Sequence, residues 1–376
     1  MPEPCVAAAR RLAGAVAASA EANACQRRLA DDLAGQLKAA GLLRALIPGA
    51  FGGPGWSLPD FLEALEILAA ADASTAWCVA QGAVIGTTTL WLPEQTIRTI
   101  WSDPDAAVAN GPPGECVIAP EGDGYRVSGR WGFSSGCQHA TIMTGACRRA
   151  DARGWLMPFF PRAQAEFHDT WRVSGLSGTG SFEFSVRDLR VPAAFVADLS
   201  GLPAAEDVLF RIPTGLLFAV SFAAVALGVS RSGLDAAYAL ARDKVPRYSA
   251  GALQHDRDAQ RLLGEAEARW RAARSYLHTA VGEVLARAGD GAGMRIAEAD
   301  RIALRLAGTH GIREAVAVFD AVWSVAGSSG IYLDHPLQRP FQDIHVIAQH
   351  AQGRVGHYGY AARFLLGQPF EPGPLN

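Results

Sequence analysis

The order of apolar and polar residues divides the chain into a helical region, a strand-rich region and a second helical region. Up to about Trp101, apolar residues recur at helical spacing, as Leu33 and Leu37 do. Between 105 and 199, short runs alternate between apolar and polar residues, which is typical of half-buried strands. After Pro203 the helical spacing returns and persists to the end of the chain.

These regions predict three domains and a mostly α fold with a central β domain. We place an N-terminal α-helical domain at residues 1–104, a β-barrel or sandwich domain at 105–203 and a four-helix bundle at 204–376. The predicted strands are Glu115 to Ala119, Tyr125 to Trp131, Thr141 to Cys147, Trp155 to Phe160 and Phe182 to Leu189. The predicted bundle helices are Thr214 to Arg242, Asp258 to Ala288, Ile296 to Ser324 and Phe341 to Leu366.

A glycine- and proline-rich segment at 47–55 raises the question of a phosphate-binding loop. It lacks a Gly-Lys-Ser/Thr ending and a preceding strand, and no Gly-x-Gly-x-x-Gly follows a strand elsewhere. The segment is therefore expected to end one helix and turn the chain before the next begins near Leu58.

Composition narrows the class of protein further. The formal net charge of −3 and a pI near 6.3 offer no basic surface for nucleic acid. The six cysteines are far apart and include no Cys-x-x-Cys pair, which predicts neither a disulfide framework nor a zinc ribbon. These features favour a folded cytoplasmic protein that does not bind nucleic acid.

Two segments resemble membrane signals. Arg10 and Arg11 precede an alanine-rich run, but charged residues follow it closely, which favours an amphipathic helix over a cleaved leader. The run from Ile212 to Val229 is uncharged, yet the helical pattern continues through Arg231 and Asp235, which favours a buried bundle helix. We therefore predict no membrane span.

Three histidines near the C-terminus invite a metal-binding interpretation. His345, His350 and His357 are separated by five and seven residues, however, whereas a helical pair of metal ligands is spaced i, i+4. The segment also has no glutamate. We predict no metal site.

Chemistry is concentrated in the segment Gly129 to Ala140, which reads GRWGFSSGCQHA. A strand with alternating apolar residues ends here at Phe133, followed by two hydroxyls and a glycine. Hydroxyls at a strand end can bond the polar edge of a flat cofactor while aromatic rings cover its face. Such a corner can equally be a turn whose hydroxyls bond nearby backbone.

The combination of these regions resembles the acyl-CoA dehydrogenase fold. Pro48 to Gly55 and Asp72 to Trp77 resemble that family's loop and helix start, and the resemblance covers nearly the whole chain. The corner at Gly129 to His139 and the segment Leu337 to His350 are more specific. They are similar to the two-component flavin-dependent monooxygenases that share this fold.

The resemblance implies how the branches of this family divide. In dehydrogenases of this fold, a Tyr-Glu pair in the last segment commonly supplies a carboxylate base, and here His350 and Ala351 occupy its place. Some dehydrogenases carry the base on another helix. A histidine at this position favours oxygenation, because imidazole can stabilise a flavin C4a-hydroperoxide or shuttle its proton. The alternative is that His350 is a capped or solvent-facing histidine on a helix.

The resemblance also implies roles for the corner. Ser134 would bond flavin N5 and Ser135 would support the backbone or touch the ring, while Trp131 and Phe133 would wall the isoalloxazine. The alternative is that both aromatic residues belong to the core of the sheet. In the last segment, Gln338 and Arg339 would orient the final helix or reach a flavin phosphate from a neighbouring subunit.

The substrate is less constrained. Phenol hydroxylases of this group tend to carry a histidine on the helix after Trp77, and this chain has Gln81 as the polar residue there. Gln81 is a candidate substrate contact, and His139 is either another or a backbone partner. An ionised phenol is therefore less favoured as substrate, and a neutral heteroaromatic ring, a polyketide-like ring or an amine for N-oxidation remains open.

The expected activity is that of the oxygenase component of a two-component flavin monooxygenase. It would take reduced FMN or FAD from a separate reductase, react with O2, hydroxylate a small metabolite and assemble as a homotetramer. One alternative is an FAD-dependent acyl-CoA dehydrogenase or desaturase with a base at Glu265, Glu267 or Glu314. Another is a non-catalytic flavin-binding relative.

Overall fold

The N-terminal region is a layer of helices, as predicted. The computed structural model describes residues 3–247, 249, 251–289 and 295–369. The helices are α1 (Cys5–Gln26), α2 (Asp31–Ala39), α3 (Leu58–Ala71), α4 (Ala73–Gly86) and α5 (Glu94–Trp101). Ser57 caps α3 by accepting the amide of Asp60, and Asp72 caps α4 by accepting that of Thr75, so each start has a side-chain cause.

The central region forms one curled sheet. Its strands are β1 (Val108–Asn110), β2 (Pro113–Glu121), β3 (Gly124–Ser134), β4 (Ile142–Thr144), β5 (Cys147–Arg149), β6 (Trp155–Pro161), β7 (Glu166–His168), β8 (Phe182–Pro192) and β9 (Val196–Ala197). The order is β1-β4-β6-β5-β2-β3-β8-β7, and β9 pairs with β6. All five predicted strands are present, although the run from Thr141 to Cys147 is split between β4 and β5.

Among the described residues, the C-terminal region contains three long α-helices and two short ones. These are α6 (Thr214–Asp243), α7 (Arg257–Gly289), α8 (Glu298–Ala326), α9 (Gln338–Gln349) and α10 (Gly356–Leu365). The predicted continuous helix from Phe341 to Leu366 is wrong. It breaks at His350, whose ψ of 148° is extended, and a short 3-10 turn at Ala351–Gly353 separates α9 from α10.

Helix α6 joins the two helical regions into a single core. It packs against α3 and α4 on one side and against α7, α8 and α9 on the other. Its length and apolar composition would suffice to cross a membrane, but 78% of its most apolar window is buried inside the protein. The helix is therefore accounted for as the centre of a protein core. The sheet keeps a second, smaller core that includes Trp131 and Phe184.

Candidate active site

The corner at the end of β3 is shaped by one residue in an unusual backbone conformation. Phe133 has a φ of 51°, in the left-handed region, and the pairing of β3 with β8 is irregular between Trp131 and Ser134. This interrupts the inward and outward alternation of the strand. Phe133 is consequently 67% exposed, with its ring edge-to-face against Trp171 at a centroid distance of 5.9 Å.

Trp131, two residues earlier, lies in the core of the sheet. It has no exposed surface, it stacks on Phe184 at 4.9 Å, and its indole Nε1 donates to the Ala146 carbonyl at 3.2 Å. Both its faces and its polar edge are thus occupied by protein. This environment favours the core interpretation of Trp131, and its role as a wall of the flavin site stays a prediction.

Ser135 belongs to a chain of hydrogen bonds. The Trp77 indole Nε1 donates to Ser135 Oγ at 3.1 Å, and Ser135 Oγ lies 2.7 Å from Ser181 Oγ. Ser181 Oγ lies 2.6 Å from Thr179 Oγ1, which donates its own proton to the Leu176 carbonyl at 2.8 Å. Hence each hydroxyl beyond Trp77 must donate onward, from Ser135 to Ser181 to Thr179.

Ser134 has a different environment. It is fully buried, and among the described residues its hydroxyl makes one long contact, of 3.5 Å, to the Gly132 carbonyl of its own strand. Gly111 packs so closely that an added Cβ there would lie 2.7 Å from Ser134 Oγ. This enclosure argues against the direct contact with flavin N5 predicted for Ser134.

His350 meets the corner through two aromatic residues. Trp77 stacks on Phe222 of α6 at 3.8 Å, and the His350 ring lies edge-on to both, at 5.4 Å from Trp77 and 4.8 Å from Phe222. The Nδ1 atom of His350 accepts the amide of Gln352 at 3.3 Å, so the neutral ring carries its proton on Nε2. Burial, aided by the positive charge of Arg354, lowers the pKa of His350 to about 4.

The break after α9 therefore gives His350 two roles at once. The residue caps the 3-10 turn, and it also places a neutral donor beside Trp77. A continuous helix would have satisfied the backbone without the imidazole. The cap fixes the tautomer and leaves Nε2–H as the donor.

Asp343 anchors the other end of the hydroxyl chain. Its carboxylate accepts the backbone amide of Leu176 at 2.6 Å, and Gly175 lies so close to α9 that an added Cβ would meet the Gln342 carbonyl at 2.5 Å. Burial raises the pKa of Asp343 to about 7, with Asp72 adding negative charge nearby. The residue ties the loop that carries Thr179 and Ser181 to the helix that carries His350.

The other predicted site residues lie at the edge of the site, farther from His350 and Ser135. Gln81 lies one turn after Trp77 on α4, and its amide donates to Asn110 Oδ1 at 2.6 Å. His139 lies near Lys38 and Arg162 on the α2 side of the corner, where burial and those two charges lower its pKa to about 4.

Gln338 and Arg339 begin α9. Arg339 is exposed, and its charge acts to lower the pKa of Asp343 and of Asp72, which favours a role in orienting this helix. Within the described residues, no three His, Cys, Asp or Glu side chains gather as metal ligands would.

Sequence reasoning missed four residues that shape the site. Trp77, Phe222, Thr179 and Ser181 are brought together from α4, α6 and the loop before β8. The sequence Ser177-Gly-Thr-Gly-Ser181 resembles the corner in being rich in hydroxyls and glycine. This similarity is the sequence signal that points to the loop before β8.

Comparison with known proteins agrees with this architecture. Residues 220–354 match the family described as acyl-CoA dehydrogenase, C-terminal domain. Indole-3-acetate monooxygenase of Pseudomonas putida is 33% identical over 360 residues, which cover 93% of this chain and 90% of that protein. The oxygenase component of p-hydroxyphenylacetate 3-hydroxylase of Acinetobacter baumannii is 26% identical, covering 89% of this chain and 82% of that protein.

The fold is shared with solved structures as well. The structure of XiaF from Streptomyces sp. in complex with FADH2 and glycerol superposes with a TM-score of 0.90 at 21% identity, over 98% of this chain and 96% of that one. The chain belongs to the flavin-dependent monooxygenases that share the acyl-CoA dehydrogenase fold. It is therefore an enzyme, and both the fold class and the enzyme class predicted from the sequence are confirmed.

Proposed function

We propose that this enzyme is the oxygenase component of a two-component monooxygenase that hydroxylates a small aromatic or heteroaromatic compound. A separate reductase would supply the reduced flavin, as the name of the Acinetobacter relative implies for that protein. The observation that carries the proposal is the neutral His350 imidazole beside Trp77, which donates to Ser135. A carboxylate base does not occupy this position.

The residues of the corner suit a flat, reduced flavin ring. Phe133 presents an exposed aromatic ring at the mouth of the corner. Ser135 has one acceptor position left, since it accepts one bond from Trp77 and gives its proton to Ser181. A reduced flavin carries a ring N–H that such an acceptor can bind, so we assign the flavin contact to Ser135 rather than Ser134. Bound reduced flavin supplies the electrons that activate O2.

His350 would act through its Nε2–H. Because the ring is neutral well above pH 4, it can donate a hydrogen bond to a developing oxyanion and pass a proton at Nε2 without first losing a charge. Trp77 and Phe222 pack edge-on against the ring and shield part of it from water. Such shielding would limit the loss of hydrogen peroxide that competes with oxygen transfer.

The neighbouring polar groups favour an uncharged substrate. Gln81 and Asn110 present amides, and the sequence of α4 contains no cationic residue or histidine to neutralise a phenolate. Amides recognise neutral N–H and C=O groups well. A neutral heteroaromatic ring is the substrate class we infer, and the Pseudomonas relative is named for an indole compound.

The dehydrogenase alternative has weaker support. The three candidate bases are engaged by arginines on bundle helices: Glu265 with Arg261, Glu267 with Arg231, and Glu314 with Arg269. An ion pair with a guanidinium occupies the carboxylate oxygens that would have to accept the substrate proton. Although burial acts to raise it, the pKa of Glu267 is lowered by the hydrogen bond from Arg231.

We also propose that the protein is a homotetramer located in the cytoplasm. Exposed apolar residues at Ile331, Tyr332 and Leu333 offer a surface for a homotetramer. The free cysteines fit a reducing cytoplasm. Light scattering after size exclusion tests the assembly, and a monomer at micromolar concentration would contradict it.

The test of function is an anaerobic titration with reduced FMN and reduced FAD, followed by addition of oxygen and a panel of indoles and phenols. We expect tight binding of a reduced flavin, oxygen uptake that depends on it, and incorporation of labelled oxygen into an indole-type product. A protein that purifies yellow and is bleached by an acyl-CoA would overturn the proposal. Comparing the two flavins decides between FMN and FAD.

A further inference from the structure

Two cysteines lie side by side on neighbouring strands of the sheet. Strands β2 and β5 pair in parallel, with Val117 opposite Arg148 and Ile118 opposite Arg149. Extending this register by one residue places Cys116 opposite Cys147. Opposite residues on paired strands point to the same face, and strands about 4.8 Å apart put the two Cα atoms within disulfide range.

The two sulfur atoms share one small environment. Cys116 Sγ lies 3.1 Å from the carbonyl of Ala146, the residue just before Cys147, and both thiols belong to the core of the sheet. The Cys147 thiol donates to the Gly145 carbonyl at 3.5 Å, and the proximity of the two thiols lowers the pKa of Cys116 and raises that of Cys147. Cys116 keeps 9% of its surface exposed, while Cys147 has none.

This asymmetry resembles an attacking and a resolving thiol. The partly exposed, more acidic sulfur is the one that a small oxidant reaches first. The buried neighbour is poised to displace whatever forms on it.

We propose that Cys116 and Cys147 form an oxidation site that converts hydrogen peroxide into a disulfide between β2 and β5. The Cys116 thiolate attacks one peroxide oxygen, the O–O bond breaks, and with a proton the products are a sulfenic acid and water. Cys147 sulfur then attacks the sulfenic sulfur, and its thiol proton leaves with the hydroxyl as a second water. Two thiols are oxidised and one peroxide is reduced.

The source of the peroxide rests on the proposed function, since an oxygenase that fails to transfer oxygen releases hydrogen peroxide at its own surface. The thiol chemistry does not rest on it.

Trp131 lies close to Cys116, because an added Cβ at Gly129 would meet Cys116 Cβ at 2.5 Å and the Trp131 ring at 2.8 Å. The disulfide would therefore form beside β3, the strand that ends at the corner.

A second pair of cysteines in the protein provides an internal control. Cys78 and Cys137 interact electrostatically, but both are buried, at 1% and 0% exposure. Burial raises the pKa of both, that of Cys137 to about 11. This pair should remain reduced where Cys116 and Cys147 react. Cys25 is exposed and isolated, so its oxidation reports the general reactivity of a surface thiol.

The experiment treats the full-length protein with hydrogen peroxide and maps its peptides without reduction. We expect a peptide linking Cys116 to Cys147 that has lost two hydrogens and is restored by dithiothreitol, formed at least tenfold faster than any Cys78–Cys137 link. In Cys147→Ser, Cys116 should instead accumulate sulfinic and sulfonic acids, whereas Cys25→Ser should leave the disulfide unchanged. Absence of the 116–147 peptide in the folded wild-type protein would overturn the proposal, whatever the variants do. Oxygen consumption with reduced flavin, measured separately, tests the proposed function independently.

Discussion

Ser134 and Ser135 are adjacent in the chain and have the same side chain, yet their environments differ completely. Ser135 is one link of a directed chain from the Trp77 indole to the Leu176 carbonyl. Ser134 is enclosed by Gly111 and makes one long contact within its own strand. The position of a residue in a motif therefore does not assign its role. The partners each hydroxyl already has determine what it can still bind.

Replacing the imidazole should have the largest effect. In His350→Ala, we expect turnover to fall by about 10² to 10⁴-fold, the range of general acid–base catalysis, with more peroxide released per oxygen consumed. Reduced-flavin binding should change much less. Product and peroxide yields measure the effect, and His345→Ala is the matched control, because His345 bonds the Phe341 carbonyl on the same helix.

An unchanged yield of product per oxygen in His350→Ala would contradict a proton-handling role. It would leave only the capping role of the residue, which should appear as lost stability. Thermal unfolding separates the two outcomes.

Asp343 holds the Leu176 end of the chain, and its effect should depend on pH. The pKa of Asp343 rises from 3.8 to about 7 on folding, so its contribution to stability is fully present below 3.8 and is lost as pH rises through 7. The loss amounts to a few kcal/mol at most. We expect Asp343→Asn, which keeps an acceptor for Leu176, to gain stability relative to wild type between pH 4 and 7.

Denaturant unfolding of wild type and Asp343→Asn across that pH range gives the difference between their free energies of unfolding. The histidines contribute equally to both proteins, so their effect cancels. Asp343→Ala, which leaves the Leu176 amide without its acceptor, should be less stable than Asp343→Asn at every pH. A difference that does not vary with pH would show that the carboxyl is ionised throughout.

The two serines themselves give the most direct test of the comparison. Ser135→Ala leaves the Trp77 N–H without an acceptor and should cost about 1–3 kcal/mol of stability, together with weaker binding of reduced flavin. Ser134→Ala should cost less than about 1 kcal/mol and leave flavin affinity within a few-fold. Anaerobic titration and unfolding of both variants measure these effects. If Ser134→Ala were the one that loses flavin affinity, the assignment would be reversed.

Phe133 should have the smallest effect of the four. Loss of its exposed ring in Phe133→Ala should weaken binding of reduced flavin by about 0.5–1.5 kcal/mol, the value of an aromatic contact. Fold stability should stay nearly constant, because the side chain is mostly in solvent. Trp131→Phe is the contrasting variant, since it should lower stability while sparing flavin affinity. The same titration measures both variants.

Periodicity predicted much of the fold, because the apolar spacing of α6 and the alternation in β3 reflect burial directly. The corner and the segment ending at His350 were also recognisable. The exposed position of Phe133 was not, since alternation assumes an unbroken strand and a left-handed φ reverses it. Nor was the break after α9, which depends on a side-chain cap. The partners Trp77 and Ser181 lie 58 and 46 residues from Ser135, and no local pattern reports such contacts.

The direction of the hydroxyl chain limits how protons can enter the site. The chain begins at an indole N–H and ends at a peptide carbonyl, neither of which exchanges charge near neutral pH. Carrying a proton along it would require every hydroxyl to turn round and Trp77 to give up its hydrogen. This chain of hydroxyls therefore does not conduct protons, and on the proposed function we expect the proton consumed in each turnover to enter from the side of His350. A solvent isotope effect on turnover should accordingly persist in Thr179→Val and vanish in His350→Ala.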